Sequence, residues 1–454
     1  MEQGSRYKSL DFSSIGPGYY ELAIYPDLDG SGELARTSFS IFDDREFLSG
    51  KESVFGMNIH SQRGFLGWSP ALVEECRNIG SMNIRDDIEW SGTEQEKGVY
   101  NCTYQCADYI YKNNMEYVVS TGFNNKFYDN GATPYTDEGW TGFANFSKAL
   151  YDLYPKNLGG LTNMEVYNEW FAPERLGNDG FDGDADSLPE TYIPLLKKTY
   201  ETVKAAYPDS VLFGQLCYDD EWVQRSIDAG VDEYMDALSL HVYPNNEFTA
   251  NGKPEIDVDP IKKYKKMLKE KSGKDFDIWI TETGANTALN GYVNFTEREQ
   301  AEAVPRVHMA LLEAGVQKIF WYCLIDESTE LVLGAAHEYN WGLLRAKESR
   351  YGAYTPKPSY VSYGVMTKML DGKDFVGKEM LGDAYCYTFS DGTNNMYALY
   401  SFAPQTVTIQ TADELKITDI MGKETIHKPK NGQVTLNIDT SVQYIEGNVQ
   451  SWRN

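Results

Sequence analysis

The sequence has little positive charge and no long hydrophobic run, and each shortage argues against a class of partner. Its 454 residues contain 41 Lys and Arg against 68 Asp and Glu, which gives a net charge of −27. Nucleic-acid backbones and anionic membrane surfaces attract basic faces, so we expect neither as a partner. No run of about 20 apolar residues could span a bilayer. The polar first ten residues contain no hydrophobic signal region, so we expect a signal peptide to be absent from this chain or already removed.

Cysteine and histidine are also scarce, and their spacing indicates no metal site. The six cysteines are scattered, and only Cys102 and Cys106 lie close together. No paired C-x-x-C motif with histidine partners occurs, so we predict neither a structural metal nor a cofactor. We expect buried free thiols rather than a disulfide framework.

Aromatic residues, in contrast, are plentiful. They make up 14% of the chain, with 33 Tyr, 20 Phe and 9 Trp. Flat apolar rings suit neutral ligands that present apolar faces. The hydrophobic content of 41% is ordinary for a globular protein and excludes disorder of the whole chain.

The centre of the chain, residues 51–370, repeats one pattern eight times. Short apolar runs alternate with stretches of helical periodicity. The runs are Phe55–His60, Met82–Trp90, Tyr117–Phe123, Thr162–Trp170, Val211–Tyr218, Ala237–Tyr243, Asp277–Thr283 and Lys318–Ile325. Eight strands, each followed by a helix, predict an α/β fold, the (β/α)8 TIM barrel.

The two ends of the chain follow a β pattern. Residues 1–50 contain two alternating runs around an Asp/Gly turn, which predicts a hairpin. Residues 371–454 contain short strands between Gly, Asp and Pro turns, which predicts a small all-β, sandwich-like domain. We expect the hairpin to join this domain, since both need a partner. We also expect the domain to be structural rather than a separate carbohydrate-binding module.

Two glutamates stand at the ends of otherwise apolar runs. Glu169 ends the fourth run and Glu282 ends the seventh. The active site of a TIM barrel lies at the C-terminal ends of its strands, so the two carboxylates can converge there. Glycoside hydrolysis uses such a pair, and a retaining mechanism needs them about 5–5.5 Å apart.

Six further residues at strand ends could bind a sugar substrate: Arg85, Asn168, His241, Tyr243, Trp321 and His60. Arg85 could hold a neighbouring carboxylate ionised, and Asn168 could bond a sugar 2-hydroxyl. Tyr243 could orient the nucleophile, His241 could bond the acid/base, and Trp321 offers an indole floor for a pyranose ring. For His60, a structural role in the core or at the surface is the alternative.

This set of residues resembles glycoside hydrolase clan A, the retaining TIM-barrel glycosidases. The clan's pattern is met by Arg on the second predicted barrel strand, Asn-Glu on the fourth, His and Tyr on the sixth, Glu on the seventh and Trp on the eighth. Residues 85–90, 94–100, 341–344 and 356–360 are similar to segments of family 39 and its relatives, although families 5, 30 and 51 share most of the site residues. The resemblance covers about residues 53–370. It implies that Glu169 is the acid/base and Glu282 the nucleophile.

The sequence therefore predicts a retaining O-glycoside hydrolase that acts on an oligo- or polysaccharide. The same resemblance implies a β-linked substrate. We expect the protein to be secreted, periplasmic or at the cell surface. Two alternatives remain open, a non-catalytic carbohydrate-binding protein and a transglycosylase that uses the same carboxylates. Sugar identity, exo or endo action and oligomeric state are also open. The acidic residues 178–186 leave open a calcium site, although a solvated rim is the simpler interpretation.

Overall fold

The computed structural model describes residues 10–26, 32–104, 106–158, 160–171, 188–244, 253–288, 295–329 and 339–453. The acidic segment 178–186 lies outside them. Among the described helices, none combines the length and the apolar character needed to cross a membrane.

Eight parallel strands close into a barrel and confirm the predicted (β/α)8 fold. The barrel strands are β3 (Phe55–Ile59), β4 (Asn83–Glu89), β5 (Glu116–Gly122), β6 (Asn163–Val166), β7 (Val211–Leu216), β8 (Ala237–His241), β9 (Asp277–Thr283) and β10 (Lys318–Trp321). Each pairs with its neighbours in sequence, and β10 closes the circle on β3. Seven of the predicted runs contain their strand completely, and β5 begins one residue before its run.

Helices cover the outside of the barrel. They are α1 (Pro70–Asn78), α2 (Trp90–Thr93), α3 (Ala107–Lys112), α4 (Asp137–Leu153), α5 (Pro189–Ala206), α6 (Asp220–Asp228), α7 (Asp259–Ser272), α8 (Glu297–Glu313) and α9 (Pro358–Leu370). Several helices begin before their apolar periodicity does, because their first turn is polar. The Thr296 hydroxyl, for example, accepts from the Glu299 N–H in a capping box that begins α8.

Inside the barrel, the N-terminal half is apolar. Side chains from five strands form one cluster: Val118, Phe213, Ala237, Trp279 and Phe320. Because helices cover the outer face, side chains from five strands can meet only in the interior. Gly56 makes room for this layer, since a Cβ there would lie 2.5 Å from the Phe320 ring. The charged residues predicted for the site lie at the other, C-terminal end of the strands.

The N-terminal hairpin forms a sheet of its own. β1 (Gly18–Ile24) and β2 (Ala35–Ile41) pair with each other and form a separate two-stranded sheet, which does not extend the C-terminal sheets. Buried Arg345, in the segment after the last barrel strand, explains this position. It donates to Ser38 on β2 at 2.8 Å and to Glu297 on α8 at 2.6 Å, so it attaches the hairpin to the barrel.

The C-terminal domain consists of two antiparallel sheets, as the sequence predicts. One sheet has the order β11-β12-β13-β18-β15-β16 and the other β17-β14-β19. The strands are β11 (Asp374–Leu381), β12 (Ala384–Ser390), β13 (Asn395–Ser401), β14 (Gln405–Gln410), β15 (Leu415–Thr418), β16 (Glu424–His427), β17 (Gln433–Ile438), β18 (Gln443–Glu446) and β19 (Ser451–Arg453). Strands β11, β16, β18 and β19 were not predicted, because they are short or alternate weakly in polarity.

Arg306 of α8 joins the barrel to this domain. Its guanidinium donates to the buried carboxylate of Glu255 at 2.7 Å and to the carbonyl of Thr440. It also lies 5.3 Å from the centre of the Phe402 ring and 5.8 Å from that of Tyr400. The main hydrophobic core continues across this junction, which supports a structural role for the domain.

Buried His308 generates a prediction about acid stability. Burial lowers its pKa from 6.5 to about 4. Between these values the unfolded chain binds a proton that the folded chain does not, so stability falls as pH falls from 6.5 to 4, by up to roughly 3 kcal/mol. In urea unfolding, H308F should flatten this decline, while H427F, at a partly exposed histidine, should leave it unchanged. An equal slope in H308F and the wild type would contradict the assignment.

Candidate active site

The C-terminal ends of the barrel strands place the predicted residues, apart from Trp321, around one point. Arg85 comes from β4, His241 from the end of β8 and Glu282 from β9. Asn168 and Glu169 follow β6 directly. Glu169 has a positive φ of 53°, which is uncommon for a residue other than glycine and is often found at functional sites.

Arg85 lies at the centre of this site and is fully buried. Its guanidinium donates five hydrogen bonds, which match its five N–H groups. The acceptors, with their distances, are Glu165 (2.7 Å), Asn58 (2.7 Å), Glu282 (3.0 Å), Ser120 (3.0 Å) and Asn168 (2.6 Å). One side chain thus fixes groups on β3, β5 and β9 and on β6 with the residues that follow it.

Glu282 is held at both carboxylate oxygens. Arg85 donates to Oε1, and the Tyr243 hydroxyl donates to Oε2 at 2.6 Å. His241 Nδ1 lies 3.3 Å from Oε2. Burial raises the pKa of Glu282, and the nearby Glu169 acts in the same direction, against the lowering effect of Arg85 and His241.

Glu169 is held by His241 and Gln215. Its Oε1 lies 2.8 Å from His241 Nδ1, and its backbone N–H donates to the Gln215 side-chain oxygen. One carboxylate oxygen of Glu169 lies within 4.8 Å of one of Glu282. His241 contacts both carboxylates, and although burial opposes its charge, they raise its pKa, with Glu282 as the largest cause.

A third carboxylate, Glu165, lies beneath this pair and is completely buried. It accepts from Arg85, from Thr281 at 2.8 Å and from Gln215 at 3.1 Å. Burial would raise its pKa, but Arg85 and His241 outweigh burial and lower it. Glu165 is therefore an ionised counter-charge to Arg85 rather than a proton donor.

His60 belongs to a second group of charged residues at the site, with Asp87, Arg63 and Glu327. Its Nδ1 lies 3.0 Å from an Asp87 oxygen, and its Nε2 lies 3.1 Å from the Tyr322 hydroxyl. Arg63 donates to Glu327 close by. Burial would raise the pKa of Asp87, but the hydrogen bond from His60 and the charge of Arg85 lower it well below its usual range.

These groups enclose a cavity of about 220 Å³. Its lining residues are His60, Arg63, Asp87, Asn168, Glu169, Tyr243, Glu282, Tyr322 and Trp341. Five of the predicted site residues line it. Arg85 lies directly beneath and His241 beside it, each in contact with a lining glutamate.

The predicted role of Trp321 is wrong. Trp321 is completely buried and does not line the cavity. Its ring stacks on His308 of α8 at 5.6 Å, so it faces the helical layer. Side chains alternate along a strand, and the next residue, Tyr322, faces the cavity instead. The aromatic wall consists of Tyr322 and Trp341, whose ring centres lie 6.0 Å apart.

A buried ion pair supports the segment that carries Trp341. Lys357 lies 2.8 Å from Asp326, and the same Asp326 oxygen accepts from the Gly342 N–H at 2.8 Å. Burial raises the pKa of Asp326 to about 6, against the charge of Lys357. This contact fixes the backbone next to Trp341 and thus the position of its ring in the cavity.

Several site residues were not predicted, and two of them carried a usable signal. Glu165 is a charged residue inside an apolar run, and Asp87 stands two residues after Arg85 on the same strand. Gln215 and Asn58 are ordinary polar residues within their runs, and their roles depend on contacts between strands. Among the tryptophans that follow barrel strands, Trp341 lines the cavity, whereas Trp90 and Trp170 are buried in the core.

Comparison with known proteins finds similar proteins by structure only. No family model and no curated protein matches the sequence. A family 39 glycoside hydrolase from Bacteroides cellulosilyticus WH2 has a TM-score of 0.75 at 21% identity, over 95% of this chain and 88% of that one.

Two further solved structures are similar at lower scores. A GH39 β-xylosidase from Caulobacter crescentus has a TM-score of 0.58 at 15% identity, over 88% of this chain and 98% of that one. The catalytic domain of GH30 xylanase C from Talaromyces cellulolyticus has a TM-score of 0.56 at 11% identity, over 89% and 99%. These matches confirm the predicted resemblance at the level of the fold.

The contacts of Arg85 generate a prediction about stability. R85M would leave Glu165 buried without its counter-charge, so we expect the free energy of unfolding to fall by about 3–5 kcal/mol. R225M, which breaks an exposed ion pair with Glu190, should cost less than about 1 kcal/mol. Urea unfolding at neutral pH measures both values. Equal losses in the two variants would contradict the central position of Arg85.

Proposed function

We propose that this protein is a retaining glycoside hydrolase that cleaves β-linked oligo- or polysaccharides by double displacement. The observation that carries the proposal is the short distance between the two carboxylates. One carboxylate oxygen of Glu169 lies within 4.8 Å of one of Glu282. Retaining enzymes hold their carboxyl groups about 5–5.5 Å apart, whereas inverting enzymes leave about 6.5–9.5 Å for a water molecule.

In the first step, Glu282 is the nucleophile. Its carboxylate attacks the anomeric carbon while Glu169 donates a proton to the leaving oxygen. Arg85 and Tyr243 donate hydrogen bonds to Glu282 and favour its ionised form. The bond to the leaving sugar breaks as the glycosyl-enzyme ester forms.

In the second step, Glu169 is the general base. It accepts a proton from a water molecule, whose oxygen attacks the anomeric carbon and releases the Glu282 carboxylate. His241 contacts both glutamates, which places it to orient Glu169 in both protonation states. Asn168 lines the cavity beside Glu169 and is placed to bond a substrate hydroxyl.

Two alternatives use the same residues. A non-catalytic carbohydrate-binding protein would keep the cavity without turnover, and the paired glutamates with their hydrogen-bond donors argue against it. A transglycosylase would pass the glycosyl group to a sugar acceptor instead of water. A location outside the cytoplasm stays a prediction from the sequence.

The assigned roles predict different losses in two variants. E282Q should lower kcat on an aryl β-glycoside by at least about 10³-fold, because no ester forms. E169A should lower it by about 10²–10⁴-fold. Azide should restore turnover, because it attacks the glycosyl-enzyme in place of water and needs no general base. E221Q, at an exposed glutamate of α6, is the control. Near-full activity in E282Q, or an E169A variant that azide does not rescue, would contradict the assignments.

A further inference from the structure

A second cavity of about 400 Å³ adjoins the catalytic one. The two share His60, Arg63 and Asp87 as a common wall. The rest of its lining includes Gln62, Glu89, Gly92, Asn101, Thr103 and Phe123. It is the larger of the two, so if the catalytic cavity accepts one sugar ring, the second has room for at least one more.

The position of this cavity indicates which side of the scissile bond it serves. Its lining residues come from the ends of β3, β4 and β5 and the segments that follow them. Glu169 does not line it and is held on the β7–β8 side of the barrel mouth, by Gln215 of β7 and His241 of β8. Since Glu169 protonates the leaving oxygen, the leaving group departs on its side. The second cavity therefore lies on the glycone side.

The chemistry of the lining suits an uncharged sugar. Glu89, Asn101 and Thr103 are exposed and can bond hydroxyl groups, and the partly buried Phe123 offers a ring for an apolar sugar face. Arg63 is the one cation of permanent charge among the described lining residues, and Glu327 already engages it. Asp87 and Glu89 would repel a carboxylate.

We propose that the second cavity is a subsite for an uncharged sugar residue on the glycone side. The enzyme then prefers substrates with two or more sugars on that side of the cleaved bond. This inference rests on the proposed hydrolase function, because that function defines the glycone side.

Gly92 allows the cavity to be blocked with little disturbance of the fold. A Cβ at Gly92 would meet no described atom within 4 Å, and the residue lies on the short helix α2, where leucine is favoured over glycine. G92L should therefore fill the second cavity and leave the catalytic one intact. Gly377 on β11 is equally open, so G377L is the matched control.

The test compares kcat/KM on two pairs of 4-nitrophenyl β-glycosides, xyloside with xylobioside and glucoside with cellobioside. In the wild type and G377L, at least one disaccharide should exceed its monosaccharide at least tenfold. In G92L this ratio should fall at least fivefold while monosaccharide turnover changes less than twofold. A wild-type ratio near one, or equal losses on both members of a pair in G92L, would overturn the subsite.

Failure of the proposed function has a different signature, which is no hydrolysis of any glycoside. The subsite is then tested by calorimetry, which measures the binding of xylobiose and cellobiose to the G92L and G377L variants. Weaker binding in G92L than in G377L supports the cavity as a sugar site, and unchanged or undetectable binding overturns it. Tighter binding of an aldobiouronic acid than of xylobiose would overturn the preference for an uncharged sugar.

Discussion

The buried guanidinium of Arg85 is the interaction on which the rest of the site depends. It satisfies all five of its N–H groups with acceptors on or directly after four strands of the barrel, and two of these acceptors are carboxylates. A buried charge is tolerated only when it is paired and fully hydrogen bonded. Glu165 supplies the permanent counter-charge beneath it, which leaves Glu282 held but accessible at the cavity. Lysine, with three donors, could not replace this geometry.

The barrel separates stability from chemistry along its axis. Its N-terminal half is filled by apolar side chains such as Phe213 and Phe320. The opposite half holds the charged residues of the candidate site, and the hydrogen bonds between neighbouring strands of the closed barrel give them a rigid frame. The aromatic wall depends on this frame and on the buried Asp326–Lys357 pair. The C-terminal domain shares the main hydrophobic core with the barrel and is joined to it by Arg306, and none of its described residues lines the catalytic cavity.

The sequence predicted the barrel and its glutamates because both depend on local periodicity. Eight apolar runs define eight strands, and a charged residue that ends such a run stands out. Trp321 shows the limit, since a one-residue difference along a strand decides whether a ring faces the cavity or the helices. The partners of Arg85 were largely missed for another reason. Asn58 and Gln215 acquire their roles from contacts between strands, which no local pattern encodes.

The stereochemistry of the product tests the central claim most directly, because it depends on the separation of Glu169 and Glu282. Proton NMR of a reaction with an aryl β-glycoside that the enzyme hydrolyses identifies the first anomer formed, before mutarotation mixes the two. The close carboxylate pair predicts the β-anomer, with retained configuration. An α-anomer as first product would show single displacement by water and would contradict this account.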